Sequence, residues 1–374
     1  MEVEYALLQD CCEILDSKRV PITAADRKEG PYPYYGANGV QDHVADYLFD
    51  DELVLLAEDG GNFGSKERSI AYRVSGKCWV NNHAHVLKPL PEYDVDYLCY
   101  SLMFYDTTGL VNGATRQKLT QAAMRQMKIP MRPLDEQRNV VALISHCQSV
   151  IAKRRQQLQE LDELVKARFV EMFGDCRNNP MHWPVKRLED VAQVGSSKRV
   201  FVEELQETGI PFYRGTEVGT LAEGKPISPE LFITEAHYNE LCKATGAPQP
   251  GDLLMPSICP DGRIWLVDSD APFYFKDGRV LWVHNIANEY DPVFLLYTLK
   301  DRIMTDYLSI ASGTTFAELK IFALKQCQVF DVPINKQKQF AEFIRHTDKS
   351  KVAVQAALDE AQLLFDSLMQ KYFG

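Results

Sequence analysis

The sequence predicts an α+β protein built as a pseudo-twofold internal repeat: two similar α/β domains separated by two long antiparallel coiled-coil helices. Three observations predict this fold. Residues 113–137 align without a gap with residues 313–337. A second similarity sets residues 17–20 against residues 197–200, and both segments are Ser-Lys-Arg-Val. Finally, each copy closes with a long helical pattern that ends on Phe-Gly.

The repeat divides the chain into four segments. We predict a first domain over residues 1–132, a first helix over 133–175, a second domain over 176–332 and a second helix over 333–374. Short apolar runs separated by Gly, Asn and Asp predict strands in both domains. The predicted strands are residues 53–58, 69–74, 84–90, 263–268 and 279–284, and residues 115–127 are predicted to be helical.

The two helical segments carry the same heptad pattern. A proline opens each segment, at Pro133 and Pro333, where a helix tolerates it. At about 1.5 Å per residue, each helix is about 60 Å long, and the two helices are expected to pack together as a spacer. The alternative is a simple dimerisation or core stripe. Steps of four and three residues select Val140, Ile144, Cys147, Ile151, Arg154, Leu158, Leu161, Val165, Arg168 and Met172, and 200 residues later Phe340, Ile344, Thr347, Lys351, Val354, Leu358, Ala361, Phe365, Leu368 and Tyr372.

Composition excludes several classes of protein. The chain has 374 residues, of which 45% are hydrophobic and 25% are charged, as in an ordinary globular protein. No apolar run has the roughly 18 residues of a membrane span, and the acidic start does not fit a signal peptide, so we expect a cytoplasmic protein. The nine cysteines lack metal-site spacing and are expected to be free buried thiols. The net charge of −11 argues against nucleic acid only weakly, because a local basic patch suffices.

Catalytic motifs are not found in the sequence. It has no phosphate-binding loop, dinucleotide fingerprint, nucleophile elbow or zinc-protease motif, so we expect no enzymatic activity. His83 and His85 could lie on one face of a strand, but no third ligand is placed by the sequence, and no metal is predicted.

The order of domain, helix, domain, helix resembles the specificity subunits of type I restriction-modification systems. Specific segments carry the resemblance: residues 130–137 open the first helix, and Phe-Gly-Asp, Asn-Pro, Trp-Pro and Leu-Glu-Asp-Val follow one another over residues 173–191. Two shorter segments add to it, Tyr-Gly-Ala-Asn-Gly at 35–39 and Asn-Asn-His at 81–83. The second helix opens at residues 333–337 with Pro-Ile-Asn-Lys-Gln, which departs from the usual acidic pattern.

The resemblance implies two target recognition domains, each recognising one half of a split, asymmetric DNA sequence. Such a subunit is not catalytic. It recruits two modification subunits, which use S-adenosylmethionine to methylate adenine, and restriction subunits, which use ATP and Mg. The chain itself is then expected to need no cofactor and to bind double-stranded DNA, with no membrane partner.

Candidate DNA-contacting residues follow from the repeats and from the polar loops. Basic and hydroxyl side chains are expected to contact phosphates, and loop side chains to contact base edges in the major groove. Each candidate could equally be a solvated loop residue. The phosphate candidates are Lys18, Arg19, Thr115, Arg116, Lys118, Lys198, Arg199, Thr314 and Thr315. The base candidates are Tyr35, Asn38, Asn62, Lys66, Arg68, Arg214, Thr216, Glu217 and Arg263.

Two other functions remain open at this stage. A coiled-coil adaptor that joins two proteins would show no sequence-dependent retention of DNA. An enzyme with an unfamiliar site would be active as the isolated chain.

Overall fold

The structure is a computed structural model that describes residues 4–113, 116–313 and 317–374. Its contacts form two compact units. Unit 1 comprises the described residues up to Gln157 together with Val354–Gly374, and unit 2 comprises Leu158–Ala353. Each unit holds one globular domain and a part of both long helices. The predicted fold class, with repeated mixed domains and two long helices, is confirmed.

Strands are concentrated in the two globular domains. In the first domain they are β1 (Tyr5–Leu7), β2 (Cys12–Ile14), β3 (Tyr32–Gly36), β4 (Gly39–Val44), β5 (Phe49–Ala57), β6 (Ala71–Val80), β7 (Ala84–Pro89), β8 (Val111–Asn112), β9 (Lys118–Leu119) and β10 (Lys128–Pro130). In the second domain they are β11 (Val185–Arg187), β12 (Gln193–Gly195), β13 (Ile210–Tyr213), β14 (Phe232–Ile233), β15 (Leu253–Pro256), β16 (Trp265–Leu266), β17 (Tyr274–Phe275), β18 (Val280–His284), β19 (Ala311–Ser312), β20 (Glu318–Leu319) and β21 (Gln328–Phe330).

The helices range from single turns to the two long helices of the repeat. They are α1 (Val95–Met103), α2 (Gln121–Arg125), α3 (Leu134–Phe173), α4 (Leu188–Val191), α5 (Gly215–Ala222), α6 (Glu235–Thr245), α7 (Pro292–Ile310), α8 (Ile321–Lys325) and α9 (Ile334–Phe373). Both long helices have 40 residues.

A six-stranded sheet, in the order β2-β7-β5-β6-β3-β4, forms the first domain. Its pairs are antiparallel except β3 with β6. The central strand β5 is apolar on both faces because both faces are covered. Val54 and Leu56 pack in one apolar cluster, whereas Leu53 and Leu55 pack in another, as the alternation of side chains along a strand requires.

The second domain repeats the centre of this sheet. Its four-stranded sheet has the order β12-β18-β15-β16, and β15 pairs with β18 as β5 pairs with β7. Val54 lies opposite Leu87 in the first domain, and Leu253 lies opposite Val283 in the second. The long strand β6 has no single counterpart in the second domain, where a separate sheet, β14-β13-β17, carries the parallel pair.

The long helices pack antiparallel inside each unit. In unit 1, the Cys147 thiol donates a hydrogen bond to the carbonyl oxygen of Ala361 at 3.2 Å. In unit 2, Lys351 Nζ lies 2.7 Å from Asp162 Oδ1. The side chains buried here include Val140, Ile144, Cys147, Ile151, Val165, Phe340, Ile344, Thr347, Ala361 and Phe365, all of them predicted heptad positions.

The heptad prediction is wrong at the end of α3. Arg168 and Met172 were expected in the seam, but Phe169 and Phe173 are the buried residues, at 4% and 0% exposure. The buried positions after Val165 are therefore Phe169 and Phe173, spaced by four residues each, where the heptad pattern expected steps of three and four. The two phenylalanine rings pack against each other with centroids 5.2 Å apart. Arg168 instead forms an ion pair with Glu171.

The predicted helix over residues 115–127 is also wrong in extent. Its first part contains strand β9, and only Gln121–Arg125 is α-helical. Strand pairing to the neighbouring loop competes with the helix, since the backbone N–H of Leu119 donates to the carbonyl oxygen of Glu58 at 2.7 Å. Thr120 then caps α2 by accepting a hydrogen bond from the backbone N–H of Ala123.

Two further findings concern the cysteines and the membrane. All nine cysteines are free thiols, and eight of them are buried. Among the helices of the described segments, none combines the length and the apolar composition needed to cross a bilayer.

Candidate nucleic-acid interface

The edge of the core sheet is built in the same way in both domains. The backbone N–H of Leu119 donates to the carbonyl of Glu58, and that of Leu319 donates to the carbonyl of Ser257, each at 2.7 Å. Glu58 and Ser257 are therefore equivalent positions on one frame. Each comes directly after the buried last residue of a core strand, Ala57 of β5 or Pro256 of β15.

The next strand supplies a second pair of equivalent positions. The backbone N–H of Glu58 donates to the carbonyl of His83, and that of Ser257 to the carbonyl of Arg279, each at 2.9 Å. His83 and Arg279 each precede a buried strand, β7 and β18 respectively. The shared frame thus places a histidine in one domain where the other has an arginine.

A polar cluster surrounds Asp59 in the first domain. Asp59 Oδ1 lies 2.6 Å from His83 Nδ1 and 2.9 Å from Arg116 Nη2. The side-chain amide of Asn38 donates to the carbonyl of the adjacent Gly60 at 3.0 Å. We call Asp59, His83 and Arg116 the Asp59 cluster. Of the predicted DNA-contacting residues, Arg116 belongs to this cluster and Asn38 lies beside it.

Buried Asn81 connects the Tyr35 loop to this cluster. Its backbone N–H donates to the carbonyl of Tyr35 at 3.0 Å, and its side-chain oxygen accepts from the backbone N–H of His83 at 2.8 Å. The Tyr35 ring packs on Tyr72 with centroids 5.7 Å apart, and burial raises the pKa of Tyr35. Tyr35 is therefore anchored by its ring and its backbone.

The second domain has a corresponding cluster around Glu318. Glu318 Oε1 lies 2.8 Å from Arg279 Nη1 and accepts a hydrogen bond from the Ser257 hydroxyl, also at 2.8 Å. Glu318 also forms an ion pair with Lys320. The hydrogen bond from Lys320 is the main reason that the pKa of Glu318 lies below its ordinary value. We call Glu318, Arg279 and Lys320 the Glu318 cluster.

Three predicted residues of the second domain meet at the start of α5. Arg214 Nη2 lies 2.5 Å from Glu217 Oε1, and the Thr216 hydroxyl donates to Glu217 at 2.9 Å. The backbone N–H of Arg214 also donates to Glu217. Burial opposes ionisation of Glu217, but these hydrogen bonds outweigh it and lower the pKa of Glu217 to about 2. Arg214 pairs in addition with the exposed Glu230.

Arg263 lies against the same helix. Its guanidinium pairs with Asp261 at 2.8 Å and, more weakly, with Glu223 at 3.6 Å, where Glu223 is the residue that follows α5. The four predicted base contacts of the second domain are therefore grouped around one short helix.

Beneath the Asp59 cluster, the first domain contains a buried charge network. His85, only 1% exposed, places Nδ1 2.6 Å from Asp16 Oδ2 and Nε2 3.0 Å from the carbonyl oxygen of Leu119. Glu58 lies 2.6 Å from Arg19 Nη1 and 3.0 Å from Lys118 Nζ. Burial raises the pKa of Glu58, but the hydrogen bonds from Arg19 and Lys118 outweigh it, and the pKa lies below its ordinary value.

The ligand atoms of Asp16, Glu58 and His85 lie within 4.8 Å of one another, a separation that a metal ion could bridge. Protein groups already contact each of them. Arg19 and Lys118 neutralise Glu58, and both ring nitrogens of His85 face oxygen atoms. His83 turns to Asp59 instead. The arrangement therefore favours a structural network over a metal centre.

The two copies of Ser-Lys-Arg-Val have different surroundings. Arg19 is 13% exposed and bound to Glu58, and it also donates to the carbonyl of Ala84. Arg199 is exposed, lies over the ring of Phe201 at 5.3 Å, and has no ion pair within the described segments. Ser257 replaces Glu58 in the second domain, which removes the acid that would hold Arg199. A phosphate contact by Arg19 would have to break its internal contacts, whereas one by Arg199 would not.

The remaining candidates lie in loops. Lys18, Lys66, Arg68 and Lys198 are exposed, and Asn62 is half-buried. Thr115, Thr314 and Thr315 lie outside the described residues. Their roles in DNA contact stay predictions.

Sequence reasoning missed the acids and two of the cations of both clusters. Asp59, Arg279, Glu318 and Lys320 were not singled out, and His83 was considered as a metal ligand and as part of the Asn-Asn-His segment of the resemblance, but not as a DNA contact. The offset of 200 residues pairs Lys118 with Glu318, and this reversal of charge was the one available signal.

Comparison with known proteins identifies the class of this chain. Residues 2–163 and 180–361 match the family described as "Type I restriction modification DNA specificity domain". The chain therefore belongs to the family of type I restriction-modification specificity subunits, whose general role is DNA sequence specificity.

Individual relatives agree with this assignment. A putative type I restriction enzyme specificity subunit of Haemophilus influenzae is 27% identical over 380 residues, covering 99% of this chain and 93% of the relative. The MjaVIII specificity subunit of Methanocaldococcus jannaschii is 21% identical, covering 92% and 86%. The crystal structure of the S subunit from M. genitalium has the same fold, with a TM-score of 0.60 at 14% identity, covering 100% of this chain and 97% of that one.

Proposed function

We propose that this chain is the specificity subunit of a type I restriction-modification complex and recognises a bipartite, asymmetric DNA target, with one domain for each half-site. The observation that carries this proposal is the repeated frame with different polar groups. Equivalent positions hold Glu58 and His83 in the first domain, and Ser257 and Arg279 in the second. One scaffold with two sets of side chains suits recognition of two different short sequences.

Recognition would combine two kinds of contact. Exposed cations such as Lys18, Lys198 and Arg199 would set the position of each domain on the phosphates. Side chains held in the clusters would contact base edges in the major groove. The free guanidinium of Arg199 supports the first role, and the fixed geometry around Asp59, Glu318 and Glu217 supports the second.

The chain would supply specificity and no chemistry of its own. Two modification subunits would bring the S-adenosylmethionine-dependent adenine methyltransferase, and restriction subunits would bring ATP- and Mg-dependent translocation and cleavage. The long helices offer docking surface for such partners. Apolar side chains that are about half or more exposed lie along them: Leu143, Leu164 and Val170 on α3, and Val352, Leu363 and Leu364 on α9.

The acidic composition fits this division of labour. With a net charge of −11, the chain alone would be repelled by DNA at long range. Phosphate contacts made by the modification subunits would offset that repulsion in the assembled complex. We therefore expect tight sequence-specific binding from the complex and weak, salt-sensitive binding from the isolated chain.

The decisive experiment co-expresses the full chain with its cognate modification subunit and maps N6-methyladenine in the host DNA by single-molecule sequencing. We expect a split motif with a fixed spacer. Exchange of residues 1–132 for the corresponding domain of a relative should change one half of the motif and leave the other half unchanged.

Three outcomes would contradict the proposal. A stable complex that methylates no sequence-specific motif would favour the coiled-coil adaptor. Failure of the chain to bind the modification subunit in co-purification would remove the proposed partner. Activity in the isolated chain would instead show a catalytic site of its own.

A further inference from the structure

We propose that the residue immediately before the buried strand β7 or β18, which is His83 in the first domain and Arg279 in the second, contacts a base edge in its half-site, and that Arg279 selects guanine. This inference rests on the proposed two-domain recognition of DNA. It names the position that would distinguish the two half-sites.

The shared frame makes the two positions equivalent. Each offers its backbone carbonyl to the same neighbouring position at 2.9 Å, to Glu58 in one domain and to Ser257 in the other. Two core strands therefore fix the backbone of both residues, and only the side chain differs. A fixed backbone with a variable side chain is what a specificity position requires.

Both positions lie beside other candidate DNA contacts. His83 is linked through Asn81 to the Tyr35 loop. In the second domain, α5 begins at Gly215, where an added Cβ atom would lie 3.5 Å from the carbonyl oxygen of Arg279, an ordinary van der Waals contact. The backbone of Arg279 therefore lies next to the turn that carries Arg214.

A carboxylate holds each side chain in one orientation. His83 Nδ1 lies 2.6 Å from Asp59, and Arg279 Nη1 lies 2.8 Å from Glu318. Each carboxylate also binds a second basic side chain, Arg116 or Lys320. An arginine side chain loses rotamer entropy when a ligand immobilises it, so holding it beforehand lowers the cost of binding a base.

Arg279 retains donors for a ligand. Its side chain is 63% exposed, and within the described segments neither Nε nor Nη2 has a hydrogen-bond partner. Arginine donating to O6 and N7 of guanine is the commonest specific contact in the major groove. The geometry therefore favours guanine at the base that Arg279 contacts.

His83 offers a different chemistry at the same position. A proton on Nδ1 that is donated to Asp59 leaves Nε2 as an acceptor, and Nε2 has no partner among the residues described. That atom suits the exocyclic amino group of adenine or cytosine. The two domains would thus prefer different bases at corresponding positions.

A base contact explains the acids better than a phosphate contact does. A carboxylate within 3 Å of the side chain would weaken its attraction for a phosphate arriving at the same place. The edge of a base carries no net charge, so the carboxylate can orient the side chain without that penalty. Arg199, which has no acid partner in the described chain, shows the environment expected for a phosphate contact.

The test uses the full chain, co-expressed with its cognate modification subunit, and maps the methylated motif for the wild type and four variants. Arg279→Gln should relax a guanine preference at one position of one half-site by roughly tenfold or more. Arg279→Lys should relax the same position by a smaller factor, because a lysine ammonium can still donate to guanine but lacks the planar fork of two donors. His83→Gln should alter only the other half-site.

The matched control is Arg187→Gln. Arg187 is also an exposed arginine of the second domain that pairs with acids, at Glu189 and Asp190, but it lies in the separate sheet of β11 and β21. This variant should keep the wild-type motif. Co-purification with the modification subunit and thermal unfolding verify that each variant is folded.

Several results would overturn the inference. Methylation of an unchanged motif by both Arg279 variants would show that Arg279 contacts no base, and a uniform loss of rate on every sequence would make it a phosphate contact. If Arg279→Gln did not fold, Arg279→Lys would decide, because it keeps the charge that Glu318 needs. A wild-type complex without any split motif would refute the proposed function and this inference with it, whereas a split motif that no variant alters would refute this inference alone.

Discussion

The side-chain oxygen of Gln137, at the start of α3, accepts a hydrogen bond from the backbone N–H of Asp94, the residue that caps α1, at 2.8 Å. The side-chain amide group of Gln137 donates to the carbonyls of Glu92 and Arg132, both at 2.9 Å. Gln137 is 1% exposed. A single buried amide therefore joins the long helix to the loop that precedes α1.

The second copy repeats this arrangement. Gln337 accepts from the backbone N–H of Asp291 at 2.8 Å and donates to the carbonyls of Glu289 and Val332. Gln337 has no exposed surface. The glutamine shared by the two aligned segments is thus a structural connection between each domain and its long helix.

Replacement of Gln137 by leucine should destabilise unit 1. The substitution removes the partner of one backbone N–H and two carbonyls in partly buried hydrogen bonds, and a group left without a partner away from water costs about 1 to 3 kcal/mol. We expect a loss of at least about 2 kcal/mol in the free energy of unfolding, measured by urea denaturation.

Gln159→Leu is the matched control for this prediction. Gln159 lies on the exposed side of the same helix, and within the described segments its side chain hydrogen-bonds only to Glu163. Its replacement should change stability by less than about 0.5 kcal/mol. Equal denaturation midpoints for the two variants would show that the buried amide of Gln137 contributes no more to the free energy of unfolding than the exposed amide of Gln159.

Arg19 and Arg199 should respond differently to alanine substitution, although both belong to Ser-Lys-Arg-Val. Loss of Arg19 leaves Glu58 with one cation fewer in a partly buried site, which should cost about 1 to 3 kcal/mol of stability. Loss of Arg199 should leave stability unchanged and should weaken retention of DNA by the assembled complex. Thermal unfolding and DNA binding at two salt concentrations measure both effects.

The opposite pattern would contradict the assignment of Arg19 to structure and Arg199 to phosphate contact. A fully stable Arg19→Ala protein with reduced DNA retention would return Arg19 to the interface. An Arg199→Ala protein that binds DNA as tightly as the wild type would remove Arg199 from it.

Glu217 should make the second domain sensitive to acid. Its pKa in the folded state is about 2, below its ordinary value of 4.5, because the hydrogen bonds to Arg214 outweigh the cost of burial. A lowered folded-state pKa adds stability that is fully present above about pH 4.5 and is lost as the pH falls toward about 2. We therefore expect Glu217→Gln to be less stable than the wild type by roughly 1 kcal/mol at pH 7, with the difference shrinking below pH 4.5.

The glutamine side chain can still accept the hydrogen bond from the backbone N–H of Arg214, but its amide group replaces one oxygen that accepts from the Arg214 guanidinium, so the comparison measures the loss of the charge together with that hydrogen bond. Urea denaturation of both proteins between pH 3 and pH 7 provides the measurement. A stability difference that stays constant over this range would show that ionisation of Glu217 does not contribute.

Much of the architecture could be predicted because it depends on local pattern and on the repeat. Heptad spacing predicted two long helices, and the structure contains α3 and α9 with 40 residues each. The last turns of α3 departed from the pattern because the larger rings of Phe169 and Phe173 are the fully buried side chains there, whereas Arg168 and Met172 are only half-buried. Helix spacing alone does not rank neighbouring side chains by size.

The polar clusters could not be predicted in the same way. His85 and Asp16, which lie 69 residues apart in the chain, meet at 2.6 Å, and Arg19 meets Glu58 across 39 residues. Local sequence patterns do not predict contacts between residues so far apart in the chain. The candidate base contacts around α5 were predicted to lie in a loop, but the structure places Thr216 and Glu217 in the helix α5 and Arg214 directly before it.

By itself, the sequence determined the internal repeat, the two long helices and the family resemblance, because identical residues at fixed offsets and heptad spacing are properties of the chain. Tertiary structure alone decided which cations are available. Arg19 and Arg199 lie in identical Ser-Lys-Arg-Val segments, but Arg19 pairs with Glu58, whereas the second domain has Ser257 at the position equivalent to Glu58. A cation that is paired with an acid inside the fold must give up that ion pair before it can bind a ligand, whereas an unpaired cation can bind a ligand directly.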